Sequence, residues 1–256
     1  MPLSRQKGKT MKMVMGFLAG AVLVIAIWGW APFSDTIDPD DALAPGYDRL
    51  ETGVERLSDG TYHVSALTRM PGVKAEMVKW WFTDFLQTSE HYSWWHPTAH
   101  VWMDWENKTP GEIVGASHLV QEYIGGEMQK LRIQFVPPEQ VLGALPDLEE
   151  GTFVLCAWAG LLEEPIYVAK MCHVVRDRPW GAEMRSNFWM GHVARREGNE
   201  AVASIEGLLG NTALARYFLL DEEAAVDLMT HAIEEMGYLS DLLPELYASE
   251  TGAASD

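Results

Sequence analysis

The stretch that decides the fold is AAVDLMTHAIEEMGYLSDLLPEL, residues 224–246. Side chains three and four positions apart share one face of a helix. One such face carries Leu228, His231, Glu235, Leu239 and Leu242, whereas the opposite face is acidic and polar. The stretch therefore predicts a long amphipathic helix, capped by Asp221, whose apolar stripe contains a histidine and a glutamate.

The pair formed by His231 and Glu235 needs an explanation, because burying an unpaired carboxylate either costs several kcal/mol or raises its pKa until it is neutral. The two residues are four positions apart, so they are neighbours on the helix. A metal ion or a hydrogen-bonded network would remove the cost. Alternatively, the pair lies partly exposed at the edge of the stripe, and the helix alone leaves both interpretations open.

Length and composition bound the class of protein. The chain has 256 residues, of which 48% are apolar, which is enough for one sizeable domain with a real core. Its net charge of -18 argues against nucleic acid and anionic membrane surfaces as partners. Cys156 and Cys172 do not form a ligand cluster, and the sequence leaves open whether they form a disulfide. It also leaves open whether the chain is a homo-oligomer.

The N-terminus predicts a membrane segment. Four basic residues within positions 1–12 precede MVMGFLAGAVLVIAIWGWAPF, residues 13–33, which has no charge and is long enough to cross a bilayer as a helix. We favour an uncleaved signal anchor over a signal peptide, because Trp28 and Trp30 lie at the far edge and no A-x-A site follows. The body is then periplasmic or extracellular, or secreted if the segment is cleaved.

The predicted organisation is a basic cytoplasmic segment (1–12), a transmembrane or signal-anchor helix (13–33), a linker (34–59), one main folded domain (60–248) and a disordered tail (249–256). Alternation and turn signals predict strands at 61–70, 113–123, 129–136, 152–159, 166–175 and 182–191. Helices are expected at 74–86, 210–220 and after Asp221, and residues 89–105 read as a loop leading into a strand. This order favours an α+β fold in which a curved antiparallel sheet surrounds the long C-terminal helix.

Other polar residues could join the pair in a pocket between sheet and helix. His173 shares a strand face with Met171 and Val175, although a lone inward histidine is more often a core residue bonded to backbone. Glu122 is the one acid in its strand, and His96 and His100 lie in the tryptophan-rich stretch 89–105. Imidazole nitrogens and carboxylate oxygens together suit a divalent ion such as zinc. The chain has no H-E-x-x-H, G-x-S-x-G or glycine-rich phosphate loop, which argues against standard zinc proteases, serine hydrolases and nucleotide enzymes.

Four segments, WWHPTAH, VQEYIGG, HVVRDRPWGAEMRSNFWMG and HAIEEMGYLSDLLPELY, resemble, in this order, the 2,4-diacetylphloroglucinol hydrolase and phloretin hydrolase family. The resemblance covers roughly residues 60–247. It implies a helix-grip (Bet v 1-like or START-like) fold and a zinc ion held by two histidines and two glutamates. It also implies hydrolysis of a carbon–carbon bond between a phenolic ring and an acyl group of a small aromatic substrate.

The resemblance also implies roles for individual residues. The predicted metal ligands are His96, Glu122, His173 and Glu235, with His100 as the alternative to His96. The predicted catalytic residues are His231, as a proton shuttle, and His100. The predicted substrate-binding residues are Tyr92, Trp95 and Tyr123.

Two other functions compete with this prediction. The same fold could bind an apolar aromatic ligand without metal or catalysis, although a binder has no need of two inward carboxylates. A metal enzyme of the same family could instead act on another carbonyl substrate. Ala99 lies where relatives often have a polar residue, which leaves the exact substrate open.

Overall fold

The computed structural model describes residues 30–44, 46 and 50–253. The strands form one antiparallel sheet: β1 (Gly53–Arg56), β2 (Tyr62–Pro71), β3 (His100–Glu106), β4 (Ser117–Ile124), β5 (Glu127–Val136), β6 (Thr152–Leu161), β7 (Ile166–Arg178), β8 (Gly181–Glu197) and β9 (Glu200–Val202). Their order across the sheet is β1-β2-β8-β7-β6-β5-β4-β3, and β9 pairs with the end of β8. Every predicted strand has a counterpart, and the short β1 and β9 were not predicted.

The described helices are α1 (Asp40–Leu43), α2 (Ala75–Trp80), α3 (Ser89–Trp95), α4 (Glu139–Leu142), α5 (Ile205–Gly210), α6 (Ala213–Leu219) and α7 (Glu222–Thr251). A π-helical turn, Trp81–Phe85, continues α2, so together they match the helix predicted over 74–86. The prediction of a loop at the start of 89–105 was wrong, because α3 occupies residues 89–95. Thr88 caps this seven-residue helix by accepting a hydrogen bond from the His91 amide, and so short a helix leaves little periodicity to detect.

The long helix α7 begins where the sequence predicts. Asp221 caps it by accepting a hydrogen bond from the Ala224 amide at 2.8 Å. Its buried face, which includes Met236, Leu239 and Leu243, packs against β2 and contributes to the main core between helix and sheet. The predicted antiparallel sheet with a long C-terminal helix is therefore confirmed.

Residues 30–44 form a strap against the outer face of the sheet. The Phe33 ring lies 5.2 Å from the ring of Trp158, within a second apolar core. The buried Lys170 donates a hydrogen bond to the Asp35 carbonyl, and Arg176 donates to the carbonyls of α1 and the residue after it. Much of the segment predicted as a linker (34–59) is thus bound to the body, because buried cations pair with its carbonyl groups.

The predicted membrane helix, 13–33, lies outside the described residues over positions 13–29. Its last residues, 30–33, belong to the strap. Among the described residues, no helix is both long enough and apolar enough to cross a membrane.

Cys156 and Cys172 form a disulfide, a pairing that the sequence left open. They are directly opposite each other on the neighbouring strands β6 and β7, with their Cα atoms 4.1 Å apart. The bond therefore fixes two central strands beneath the strap.

Candidate metal centre

Four polar side chains from the sheet and the long helix converge at one point. His100 begins β3 and lies directly opposite Glu122 of β4, while His231 and Glu235 follow each other by one turn on α7. The His100 Nε2 atom is 3.5 Å from a carboxylate oxygen of Glu122 and 3.5 Å from one of Glu235. The His231 Nε2 atom is 3.9 Å from the same two oxygens. Strand register and helical period together thus assemble two histidines and two glutamates, which we call the His/Glu cluster.

A backbone hydrogen bond fixes the orientation of His100. Its Nδ1 atom is 3.0 Å from the Tyr92 carbonyl oxygen, which can accept a hydrogen bond only. The proton of a neutral imidazole therefore lies on Nδ1, and the lone pair of Nε2 points towards the two carboxylates. Metal-binding histidines are commonly oriented by such a bond from their other nitrogen.

Tyr92 also contacts Glu122. Its hydroxyl group donates a hydrogen bond to the carboxylate, and its ring stacks on His100 with the ring centroids 3.8 Å apart. Burial and the neighbouring Glu122 raise the pKa of the Tyr92 phenol well above its usual value. Tyr92 therefore keeps its proton and supports both residues that the sheet contributes.

Burial dominates the electrostatics of the cluster. It lowers the pKa of His100 to about 4 and also lowers that of His231, so both imidazoles are neutral at physiological pH. Burial raises the pKa of Glu235 to about 8, an effect that the charge of Glu122 increases. A buried carboxyl beside neutral imidazoles needs either a proton or a cation.

The cluster fits a divalent cation by its chemistry and its geometry. The Nε2 atoms of His100 and His231 are buried without a hydrogen-bond partner. Ligand atoms of His100, His231 and Glu235 all lie within 4.8 Å of one another, and the Glu122 oxygen is within 3.9 Å of both imidazoles. Unpaired buried nitrogens beside carboxylates are the donors expected of a zinc site with nitrogen and oxygen ligands.

The structure does not bring two of the four predicted ligands into the cluster. His96 follows α3, and its Nε2 atom lies 3.3 Å from the exposed Glu234, while its ring stacks on His231. The His173 Nδ1 atom lies 2.9 Å from the Ser186 hydroxyl oxygen. His100, predicted as catalytic, and His231, predicted as a proton shuttle, occupy the positions beside the carboxylates instead.

A cavity of about 530 Å³ lies between the sheet and α7, and three of the four cluster residues, Glu122, His231 and Glu235, form part of its wall. Tyr92, Trp95, His173 and the two cluster glutamates line it, together with apolar side chains of β4, β5, β7 and β8. Tyr123, predicted to bind substrate, is instead 44% exposed and lines a smaller adjoining pocket together with His96. The large cavity therefore combines an apolar lining with polar groups at one side.

Some residues of this region escaped the sequence-based prediction. His118 lines the cavity, stacks on Trp105 and has a pKa lowered by burial to about 3. Phe188 lies edge-on to His173, with the ring centroids 5.8 Å apart. The signal available for both was strand alternation, since His118 shares a face with Glu122, and Phe188 pairs across β7 and β8 with Met171.

The chain is similar to characterised hydrolases over most of its length. It is 28% identical over 236 residues to 2,4-diacetylphloroglucinol hydrolase of a Pseudomonas species, covering 83% of this chain and 78% of that protein. It is also 28% identical over 209 residues to phloretin hydrolase of Eubacterium ramulus, covering 75% and 70%. The resemblance seen in the four sequence segments is therefore confirmed.

Similarity to solved structures is weaker. Ara h 8.0201 matches with a TM-score of 0.41 and 10% identity, covering 75% of this chain and 98% of that one. Major latex-like protein 151 of Panax ginseng matches with a TM-score of 0.35 and 14% identity, covering 67% and 97%. No argument about function follows from similarities of this size.

The family model provides the assignment. It is described as the DAPG hydrolase PhiG domain and matches residues 33–248. This range includes the strap from Phe33, the whole sheet, the His/Glu cluster and nearly all of α7. The chain belongs to the DAPG hydrolase PhiG domain family.

Proposed function

We propose that this chain is a metal-dependent hydrolase that cleaves the carbon–carbon bond between a phloroglucinol-type ring and an acyl group. Family membership supports hydrolysis, and the names of two relatives specify 2,4-diacetylphloroglucinol and phloretin as their substrates. The observation that carries the proposal is the buried His/Glu cluster in the wall of an apolar cavity.

The ligands that we propose for zinc are His100, Glu122, His231 and Glu235. This set replaces His96 and His173 of the sequence-based prediction, because the carboxylate that His96 contacts is that of Glu234, and the Nδ1 atom of His173 contacts the Ser186 hydroxyl group. Two imidazole nitrogens and two carboxylates match the donors that zinc takes in proteins. A divalent cation held there would polarise a carbonyl group and lower the pKa of water.

The cavity suits an aromatic substrate. Its volume of about 530 Å³ lies within the usual range for small-molecule sites, about 300–1,000 Å³. Val120, Leu131 and Phe188 contribute apolar walls, and Trp95 lies at the side nearest His100, with the two ring centroids 5.1 Å apart. We infer that the phenolic ring lies between these walls, with its acyl group directed towards the cluster.

The overall reaction adds one water across the carbon–carbon bond. The oxygen of water bonds to the acyl carbon, the bond from that carbon to the ring breaks, and the ring carbon gains a proton. The products are a carboxylic acid and the deacylated phenol, so the reaction needs no oxidant or other co-reactant.

His173 and Tyr92 are the residues that we propose to move or hold protons in the cavity. Burial lowers the pKa of His173 to about 4, so its imidazole is neutral, and Ser186 fixes the orientation of the ring. A neutral imidazole can accept a proton from water and return it to the ring carbon. The Tyr92 phenol keeps its proton, which it donates to Glu122, so its oxygen can accept a hydrogen bond from a substrate hydroxyl group near the cluster.

Metal content tests the ligand set. The full-length protein, purified in detergent without added metal, is expected to contain about one zinc per chain, measured by inductively coupled plasma mass spectrometry. His100→Ala and Glu235→Gln should lose the metal, because each removes a cluster ligand. His96→Ala is the matched control and should retain it, since His96 contacts Glu234 rather than the cluster carboxylates. Retention by His100→Ala with loss by His96→Ala would contradict the set.

Turnover tests the reaction separately. We expect the zinc-loaded protein to release a carboxylic acid from 2,4-diacetylphloroglucinol or phloretin, and His173→Ala to retain zinc but lose at least tenfold in kcat, because it removes the proposed proton carrier. Equal loss of zinc and activity in His173→Ala would place His173 among the ligands. A metal-free protein that binds these phenols without cleaving them would instead identify a binding protein.

A further inference from the structure

The two short helices before α7 display an unusual apolar surface. Their exposed side chains range from 50% exposed at Leu208 to 75% exposed at Leu219. We call this surface the α5–α6 face and define it by Ile205, Leu208, Leu209, Tyr217, Phe218 and Leu219. Large apolar side chains grouped in this way typically mark an interaction surface.

The chain reaches the body at this same face. Two residues, Asn211 and Thr212, join the two helices. Trp30 forms a β-bridge with Thr212, and the Ala31 amide donates to the Asn211 carbonyl at 3.3 Å. The buried Arg216 of α6 donates to the Ala31 carbonyl at 3.1 Å. Residues 30 and 31 are thus bound to the α5–α6 connection, so the segment that precedes them starts beside the α5–α6 face.

That preceding segment is apolar. Residues 13–29 contain no charged side chain and follow a basic stretch. At about 1.5 Å per residue, a helix of this length spans most of the roughly 30 Å hydrocarbon core of a bilayer. Trp28, near the end of this segment, and Trp30, just after it, lie at the end nearest the body in sequence, and tryptophan is enriched where a membrane meets water.

We propose that the α5–α6 face docks onto the surface of a lipid bilayer, next to the point where residues 13–29 enter it. If Trp30 lies at the membrane–water interface, its bridge partner Thr212 lies at the same depth in the membrane, and the two short helices on either side of Thr212 lie there too. The charges of this part are few or neutralised, since Glu206 pairs with Arg195 and Arg216 is buried against Asp59. The acidic body favours zwitterionic over anionic lipid.

Two further features agree with this placement. The disulfide between Cys156 and Cys172 is of the kind that persists in oxidising compartments, which is where the positive N-terminus would place the body. Leu220 and Asp221 follow the face directly and line the large cavity. If the proposed function holds, docking brings this part of the substrate cavity close to the bilayer.

Spin labelling of the full-length chain in phosphatidylcholine vesicles tests the docking independently of activity. The native cysteines are joined in a disulfide, so a label attaches to an introduced cysteine. Phe218→Cys and Leu209→Cys report on the face. Leu148→Cys is the matched control, because Leu148 is also an exposed apolar residue but lies far from the face. Leu148 precedes β6, near the turn between β7 and β8. Helix α5 packs near Val193, at the opposite end of β8.

We expect labels at positions 218 and 209 to collide more with oxygen and at least threefold less with a water-soluble nickel chelate than the label at 148. Such protection marks insertion at the lipid boundary. Equal nickel accessibility at all three positions would overturn the proposal, as would failure of the chain to float with the vesicles. Dipolar broadening between labels at 218 would also overturn it, because a second copy would then cover the face.

Discussion

Replacing Glu235 by glutamine isolates the electrostatic cost of the His/Glu cluster. Glu235 lies on the buried face of α7. A carboxylate oxygen of Glu235 and one of Glu122 both lie within 3.9 Å of the Nε2 atoms of His100 and His231, so the two carboxylates share the same neighbours. Without metal, burial raises the pKa of Glu235 from 4.5 to about 8. Glu235→Gln keeps the size of the side chain but removes its titration, so the two metal-free proteins should respond differently to pH.

The sign and the size of the effect follow from linkage. Because the pKa of Glu235 is higher in the folded than in the unfolded protein, its contribution favours folding below pH 4.5 and is lost as the pH rises through about 8. Between pH 5 and pH 8 this loss amounts to roughly 3 to 4 kcal/mol, because the folded and unfolded proteins bind different numbers of protons over this range. The Glu235→Gln variant lacks this loss, so in the metal-free state it should gain stability relative to wild type as the pH rises.

Urea unfolding of chelator-treated, full-length protein in nonionic detergent measures this difference at pH 5 and pH 8. Glu234→Gln is the matched control, since Glu234 is the next residue and its side chain is 57% exposed. With zinc, the order of stabilities at pH 8 should reverse, because a cation compensates the wild-type carboxylates. If the stability difference between Glu235→Gln and wild type is the same at both pH values in the metal-free state, the buried-carboxylate reasoning is refuted.

Two further substitutions test the surroundings of the site. Arg216→Met should lower the free energy of unfolding by about 3 kcal/mol, because it leaves the Ala31 carbonyl of the strap and the Asp59 carboxylate without a buried partner. Arg195→Met, at an exposed ion pair, should cost less than about 1 kcal/mol. Gly125→Ala should reduce the melting temperature more than Gly126→Ala. Both glycines have positive φ, but a Cβ atom at position 125 would lie 2.0 Å from Asp227 Oδ2, whereas a Cβ atom at position 126 would have no neighbouring atom within 4 Å. Equal effects within either pair would contradict these contacts.

The sequence alone predicted the architecture because its signals are local. The period of the stretch 224–246, with Asp221 before it, is enough to define α7, since helical neighbours lie three and four residues apart. Alternation likewise predicted most strands within a few residues of their ends. The same period placed His231 and Glu235 on the apolar stripe but left open whether they are buried, and the structure buries both side chains.

The position of His100 in the cluster depended on contacts that the sequence does not encode locally. His96 and His100 are four residues apart in one histidine- and tryptophan-rich segment. Their directions are set by the end of α3 at Trp95, the turn that follows, and the pairing that puts His100 opposite Glu122. A shift of one residue in such a pairing reverses the face of every side chain in the strand.

The sequence by itself thus determined the long helix, the antiparallel sheet, the family and the pair on α7. The tertiary structure decided which sheet residues contact that pair and that His173 contacts the Ser186 hydroxyl group. It also decided that Cys156 forms a disulfide with Cys172 and that the strap covers the outer face of the sheet. The physical reason is how far apart in the sequence the contacting residues lie. Helical and strand periods arise between near neighbours in the chain, whereas a site on facing elements depends on strand register and packing between residues more than a hundred positions apart.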